Sequence, residues 1–298
     1  GTIIYTITSG NKRKNQLIMN RSILALIILI ATSYTYSAHA QIVKTPNDNF
    51  NSDSLRRSFD REAFFSLYKD NYFSAGTAIG SKPSAINSDV KFQVSIAQRL
   101  TKSTLPFNTY LFIFFNQKVF WNVFENSMPV HDFVFNPGIG ISKLLIAKNR
   151  VVGKASLLFE HESNGKDSYN SRSWNRISLC GSIYISPQFM IHAKYWIPIV
   201  DGQHNKDILR YAGIFQNGIQ VLSRDKRYGM AVTLVKRQGW NLSFNTIIEF
   251  NYRLHKQDNQ YIFLQYYNGY GENLIDYNKF HSRIRAGFII KPKWFSEY

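Results

Sequence analysis

The 298-residue sequence carries a single cysteine, Cys180, and only 19 acidic residues against 36 basic ones. One thiol excludes an intramolecular disulfide and a cysteine-based metal cluster. The shortage of acid leaves a formal net charge of +17, a surplus that suits nucleic acid or anionic lipid headgroups and does not choose between them. Long apolar runs are missing too. Nothing reaches the roughly 18 uninterrupted apolar residues of a membrane-spanning helix, and no segment shows the periodicity of a convincing amphipathic helix. His131, His192, His204, His255 and His281 are scattered without metal-ligand spacing and read as surface or lumen residues.

What is present begins with a leader. From Met19 the chain runs MNRSILALIILIATSYTYSAHA, with Arg21, an apolar stretch from Ile23 to Ala31, and Ala38-His39-Ala40. This is the layout of a secretory signal peptide over 19–40; residues 1–18 before it read as an upstream translation artefact. Removing 1–40 takes away four basic and no acidic residues, which takes +17 to about +13. Residues 41–62 are polar and aperiodic and read as a flexible N-terminal segment.

From 63 to 298 the texture changes to short alternating segments separated by Asn, Gly, Asp, Ser and Lys clusters. Val151, Gly153, Ala155, Leu157 and Phe159 share one face, opposite Lys154, Ser156, Glu160 and Glu162. Ile177, Leu179, Gly181, Ile183 and Ile185 oppose Arg176, Ser178, Cys180, Ser182 and Tyr184. A soluble sandwich alternates as well. Here, however, the polar face repeatedly carries charge and hydroxyls, the chain looks exported, and aromatics make up 15% of it. That combination predicts an all-β fold, a transmembrane antiparallel barrel with lipid outside and a polar lumen. About twelve strands are expected, near 64–80, 89–98, 107–120, 130–145, 151–163, 173–186, 188–200, 207–221, 228–236, 240–254, 260–268 and 281–291. Arg210, Arg253, Arg283 and Arg285 are expected to pair with lumen carboxylates.

One hairpin breaks the pattern. In FEHESNGKDSYNSRSWNRI (159–177), His161 and Ser163 are two residues apart and so lie on one side of a strand, the side of Leu157 and Phe159. Asn175 shares the face of Ile177 and Leu179. If the hairpin is symmetric about Ser168, His161 sits opposite Asn175, with Cβ atoms about 5 Å apart. Ser163 can then serve as nucleophile, His161 as its base, and Asn175 as the group that orients the imidazole. On spacing alone, ordinary polar residues of a loop rim remain an equal alternative.

The run H161-E-S-N-G-K-D-S-Y-N-S-R-S-W-N-R176 resembles the His-Gln-Ser-Asn-Gly-Arg…Ser-Arg-Ser-Trp-Asn-Arg signature of the outer membrane phospholipase A family. GYGENLIDYN (269–278) resembles a second family segment, with weaker echoes at 89–97, 116–121 and 205–213. The resemblance implies a twelve-stranded barrel in the bacterial outer membrane. It implies a calcium-dependent esterase that hydrolyses the acyl ester bonds of phospholipids, with A1 and A2 specificity, active as a homodimer. Its catalytic roles fall on His161, Ser163 and Asn175. Its Ca2+ ligands fall on Ser171, on the Lys166 carbonyl, where the family often has Arg, and on Ser127 supplied by the partner subunit. Gln117 matches a polar residue of the family's dimer interface, and Glu162 replaces the family's Gln on what should be the lumen side. The rival readings are a catalytically inactive, porin-like channel and a soluble basic β-protein that binds nucleic acid.

Overall fold

The computed structural model describes residues 52–298, apart from 201, 256–257, 294 and 298. The expected leader, the segment before it, and the start of 41–62 lie outside the described residues.

Alternation along the chain becomes strands β1 (Phe65–Leu67), β2 (Asn71–Ala78), β3 (Ser88–Arg99), β4 (Tyr110–Trp121), β5 (Val130–Ala147), β6 (Arg150–Ser163), β7 (Ser173–Ser186), β8 (Phe189–Ile199), β9 (Phe215–Leu222), β10 (Tyr228–Lys236), β11 (Phe244–Arg253), β12 (Gln260–Gly269) and β13 (His281–Ile290). Neighbours in sequence pair antiparallel from β2 to β13, and β13 returns to β2 through Phe288↔Phe73, closing the sheet. β1 and β2 both pair with β3, by Ser66↔Ala97 and Phe73↔Phe92, so they are one broken strand. The result is a closed twelve-position barrel. The break has a local cause: the Ser95 hydroxyl accepts the Lys69 N–H at 3.0 Å, and the Asn71 side chain accepts the Ser95 N–H at 2.7 Å. Side chains thereby replace ladder partners where the strand turns Tyr68 inward.

Period-2 alternation sorts the faces as expected. Leu157, Phe159, Ile177, Leu179, Ile197 and Phe288 are exposed around the outside, where a barrel meets hydrocarbon. The inner face is polar and tied together. Glu160 accepts from Arg176 Nε at 3.1 Å, Ser178 Oγ at 2.6 Å and Lys194 Nζ at 2.6 Å. Arg176 Nη2 also reaches Glu162 at 2.9 Å, so Glu162 does face the lumen. Arg285 spans Asp89 and Glu272, Arg283 reaches Asp89 at 3.0 Å, and Lys91 reaches Glu272 at 3.2 Å. Arg283 and Arg285 thus find the lumen carboxylates expected of them. Arg253 bonds the Tyr261 hydroxyl, and Arg210 lies elsewhere, in a loop helix.

Three sequence expectations need correction. Residues Ser52–Arg61 form helix α1 rather than a flexible lead-in. Only Leu55 and Phe59 mark its apolar face, too few for periodicity to register. Phe59 nevertheless packs 5.2 Å from the Tyr110 ring, with the Arg99 guanidinium 4.2 Å above it, near one end of the barrel. The strand expected at 207–221 is a short helix, α2 (Leu209–Ala212), followed by β9. Gly213, at φ 99°, makes the turn between them, a backbone conformation that side chains with Cβ resist. The strand expected from 240 begins at Phe244.

Connections at the two ends differ. The β5–β6 and β7–β8 links are tight turns, whereas 164–172, 200–214 and 270–280 are long loops at the opposite end. Bacterial barrels place short turns on the periplasmic side and long loops outside, which puts the β6–β7 loop at the outer surface.

Arg176→Met should leave Glu160 and Glu162 short of their shared cation. Breaking a buried ion pair costs about 3–5 kcal/mol. Urea unfolding of the barrel in detergent should show a correspondingly lowered midpoint; an unchanged midpoint would remove Arg176 from the forces that hold the hairpin.

Candidate active site

The site is built on the end of the β6–β7 hairpin. The register is His161↔Asn175 and Ser163↔Ser173, as symmetry about Ser168 required. Ser168 itself takes a left-handed φ of 50° at the loop centre. His161, Ser163 and Asn175 all lie on the outer face and are half-buried. His161 Nδ1 and Asn175 Oδ1 are 2.8 Å apart. An amide oxygen only accepts, so this bond puts the proton on Nδ1 and leaves Nε2 free to act as a base. Among the described residues the Ser163 hydroxyl makes no side-chain hydrogen bond, so it is adjacent to the imidazole on the same face without yet being bonded to it. Such looseness is common before substrate binds.

Residues that sequence reasoning missed fix this geometry. Asn136, buried on β5, donates to the His161 carbonyl at 2.8 Å. Asn164 closes the loop on itself, donating to the Asn170 carbonyl at 2.8 Å and accepting the Arg172 N–H at 3.0 Å. Gly165, at φ 62°, lies so near Phe135 that a Cβ there would come within 2.9 Å of the ring. Asn205, fully buried in the β8–β9 loop, grips the Ser173 peptide from both sides, accepting its N–H at 3.2 Å and donating to its carbonyl at 2.8 Å. The similarity noted at 205–213 was the one trace of Asn205 in the sequence.

The surrounding loops are stitched to the hairpin. Lys166 Nζ donates to the His131 carbonyl at 3.0 Å. Asp132 accepts the Leu274 and Ile275 N–H groups, both at 2.9 Å. His131 Nε2 bonds Asp276 at 2.8 Å, so His131 is a structural partner rather than a merely solvated residue. That bond, with help from Lys279, holds the Asp276 carboxyl well below its ordinary range. The Tyr277 hydroxyl donates to Asp207 at 2.6 Å, and burial together with that carboxylate pushes the phenol up to about 12. The 269–278 segment is thus a latch across the loops as well as the strand-end turn its glycines suggested.

The three expected metal ligands are placed unequally. Lys166 and Ser171 share the hairpin loop beside Ser163. The Ser171 hydroxyl makes no hydrogen bond among the described residues, and the Lys166 carbonyl accepts no backbone N–H there. Ser127 is exposed on the β4–β5 loop, at φ 66°, and no described contact joins it to Lys166 or Ser171. Among the described residues no cluster of three or more His, Cys, Asp or Glu could hold a metal. The available donors are neutral oxygens, which fit a hard cation such as calcium whose remaining positions are filled by water or another chain.

A closed barrel with an apolar outer belt, long loops at one end and polar reactive groups on its lipid-side rim defines a bacterial outer-membrane protein. The chain belongs to the phospholipase A1 family: the family model described as Phospholipase A1 matches residues 48–290. It is similar to phospholipase A1 of Escherichia coli K12, 29% identical over 208 residues that cover 68% of this chain and 69% of that protein. Phospholipase A1 of Klebsiella pneumoniae is 26% identical over 210 residues, covering 68% and 70%. Among solved structures, outer membrane phospholipase A from Escherichia coli aligns with a TM-score of 0.66 at 24% identity, covering 76% of this chain and 93% of that one. The Salmonella typhi outer membrane phospholipase dimer with bound calcium aligns with the same TM-score and identity, covering 76% and 91%. At that identity the structural likeness speaks for the fold.

Asn205→Ala should leave the barrel folded but release the Ser173 amide. Hydrogen exchange of the peptide spanning 168–178 should speed up at Ser173, and protection equal to wild type would refute the clamp. The pH behaviour of the latch follows from its two shifted groups. A depressed Asp276 adds stability above the unfolded carboxylate value of about 3.9, lost as pH falls through its folded value. A raised Tyr277 adds stability below about 10, lost as pH rises through about 12. Exchange in 270–280 should therefore show no extra opening between about pH 5 and 9 once the intrinsic rate is corrected.

Proposed function

We propose that the chain hydrolyses the acyl ester bonds of phospholipids with Ser163 as nucleophile, His161 as general base and Asn175 as the residue that orients the imidazole. The observation that carries this reading is the 2.8 Å His161–Asn175 bond on the outer face, two residues from an outward-facing serine. His161 Nε2 takes the Ser163 proton as Oγ attacks the acyl carbonyl, and returns it to the departing alkoxide. Water then cleaves the acyl-enzyme, with His161 again as base. Because the groups face lipid, a substrate reaches them by lateral diffusion with its chains still in the leaflet. Attack at either acyl position, giving A1 and A2 products, is compatible with such an open face.

Calcium fits the oxygens of Ser171 and Lys166, with Ser127 contributed by a second copy. When bound it would supply positive charge for the oxyanion that develops on the acyl carbonyl. A dimer is supported by Gln117, which lies half-buried on the outer stripe with Leu111, Ile113 and Phe115 and whose side-chain amide has no hydrogen-bond partner among the described residues. An amide so placed is best satisfied across a subunit contact. What the Salmonella typhi relative assembles with, calcium and a second copy, agrees with both points.

The purified protein in mixed micelles should release fatty acid from phosphatidylcholine with calcium and stop when a chelator is added. Ser163→Ala should reduce the rate to background, and His161→Ala should reduce it by at least about 100-fold. Activity of Ser163→Ala equal to wild type would refute the assignment, and full activity in chelator would refute the metal.

A further inference from the structure

Away from the hairpin, at the same end of the barrel, a pocket of about 210 Å3 opens between α2 and the β10–β11 loop, lined by Arg210, Tyr211, Arg237, Gln238, Asn241 and Ser243. Two arginines line it together with residues that carry amide and hydroxyl groups, and no carboxylate is among the lining residues. Among the described residues neither arginine forms an ion pair. Asp207, one turn before Arg210, is engaged by the Tyr277 hydroxyl instead. The Arg237 Nε is buried and has no hydrogen-bond partner, a state that costs about 1–3 kcal/mol or more for a charged donor. Its guanidinium is held 4.8 Å from the Tyr270 ring, so it cannot simply swing out to water without losing that contact. The pocket backbone is also fixed: the Gln238 N–H donates to the Leu209 carbonyl at 3.1 Å, and the Arg237 N–H to the Ser243 carbonyl at 3.0 Å. A held Arg237 and an exposed Arg210, neither in an ion pair among the described residues, border one recess and form a site for a doubly acceptor-rich anion, and arginine's planar fork matches phosphate oxygens. The volume is several times a water molecule's share of about 30 Å3, enough for a tetrahedral anion.

The loop that supplies half of this pocket also carries its most exposed apolar residues. Trp240 and Leu242 project fully, on either side of Asn241. Tryptophan concentrates at membrane–water interfaces, where one edge is apolar and the other wet. A free anion gives no reason for that flanking. We propose that this pocket binds the phosphate group of an outer-leaflet lipid, with Trp240 and Leu242 against its apolar portion. The site is separate from the Ser163 face and does not depend on hydrolysis. It is nevertheless linked to it through the chain: α2, which presents Arg210, follows directly from the segment in which Asn205 clamps Ser173.

The test uses the full-length barrel carrying Ser163→Ala, so that no lipid is consumed, in dodecyl maltoside micelles doped with phosphatidic acid or with diacylglycerol of the same chains. Bound lipid is counted by native mass spectrometry. Retention of phosphatidic acid should exceed that of diacylglycerol by about tenfold, a factor worth about 1.4 kcal/mol. Arg210→Gln with Arg237→Gln should bring the two lipids within about twofold, with unchanged heat-modified mobility on gels as the folding check. A charge-matched control at the opposite end, Lys102→Gln with Arg224→Gln, should keep the preference. The proposal is overturned if wild type shows no preference, if the double arginine variant retains it, or if the control loses it equally. Inorganic phosphate that displaces phosphatidic acid at equal concentration would overturn the lipid assignment and make the pocket a site for the free anion. Because the readout is binding alone, it stands or falls apart from whether the protein hydrolyses phospholipid.

Discussion

The reactive rim depends on a contact that faces the other way. Arg176 stands between Glu160 and Glu162 on the inner wall, with Lys194 and Ser178 completing Glu160. Because alternate residues of a strand point to opposite sides, this cross-strand clamp fixes which residue of β7 faces which residue of β6. A slip of one residue would turn His161 into the lumen and Glu160 toward hydrocarbon, where an unpaired carboxylate is costly. The interior pairing therefore enforces His161 opposite Asn175. The ions that hold the register and the groups that face lipid are consecutive along each strand.

Above the membrane the same hairpin is held by single side chains that bond to the main chain of distant loops. Asn205 grips Ser173, Asp132 caps the 274–275 amides, Lys166 reaches the His131 carbonyl, and Asn136 reaches the His161 carbonyl. Trp174, Ile208, Leu274 and Tyr277 pack beneath these bonds as one apolar cluster. A loop rim left to itself would be mobile. Here backbone groups with no ladder partner are satisfied by amides and carboxylates, which converts loose ends into a rigid mount for Ser163.

The barrel, its faces and the hairpin register were legible because strand periodicity is short and strict: Leu157, Phe159 and His161 must share a side once β6 is a strand. Other features leave no periodic trace. α1 shows two apolar residues four apart and becomes a helix because Phe59 and Arg99 meet inside the barrel. The first strand reads as continuous because nothing local announces that Ser95 will take the Lys69 N–H. α2 was hidden inside an apparent strand because Ile208, Leu209 and Tyr211 are apolar enough for either state, and tertiary burial of Ile208 decides. Asn205 and Asp132 act on partners far along the chain, information that a single sequence holds only through resemblance. The Lys166, Ser171 and Ser127 assignments are of that kind, and geometry alone brings the first two into one loop.

The neutral third residue of the rim follows from the same division of faces. Every carboxylate of the β6–β7 hairpin strands points inward, and Glu160 and Glu162 both have cationic partners there. On the outer face the neighbours of His161 and Asn175 are Phe159 and Ile177, each exposed to the hydrocarbon side. A carboxylate in place of Asn175 would orient the imidazole as well, but it would sit in a low-dielectric belt without a cation of its own and would either protonate or draw the hairpin end toward water. An amide oxygen gives the directional bond and fixes the tautomer while adding no carboxylate to this face. In the proposed reaction the serine proton would move to His161 on this face, and Ser171 and the Lys166 carbonyl lie on the adjoining loop.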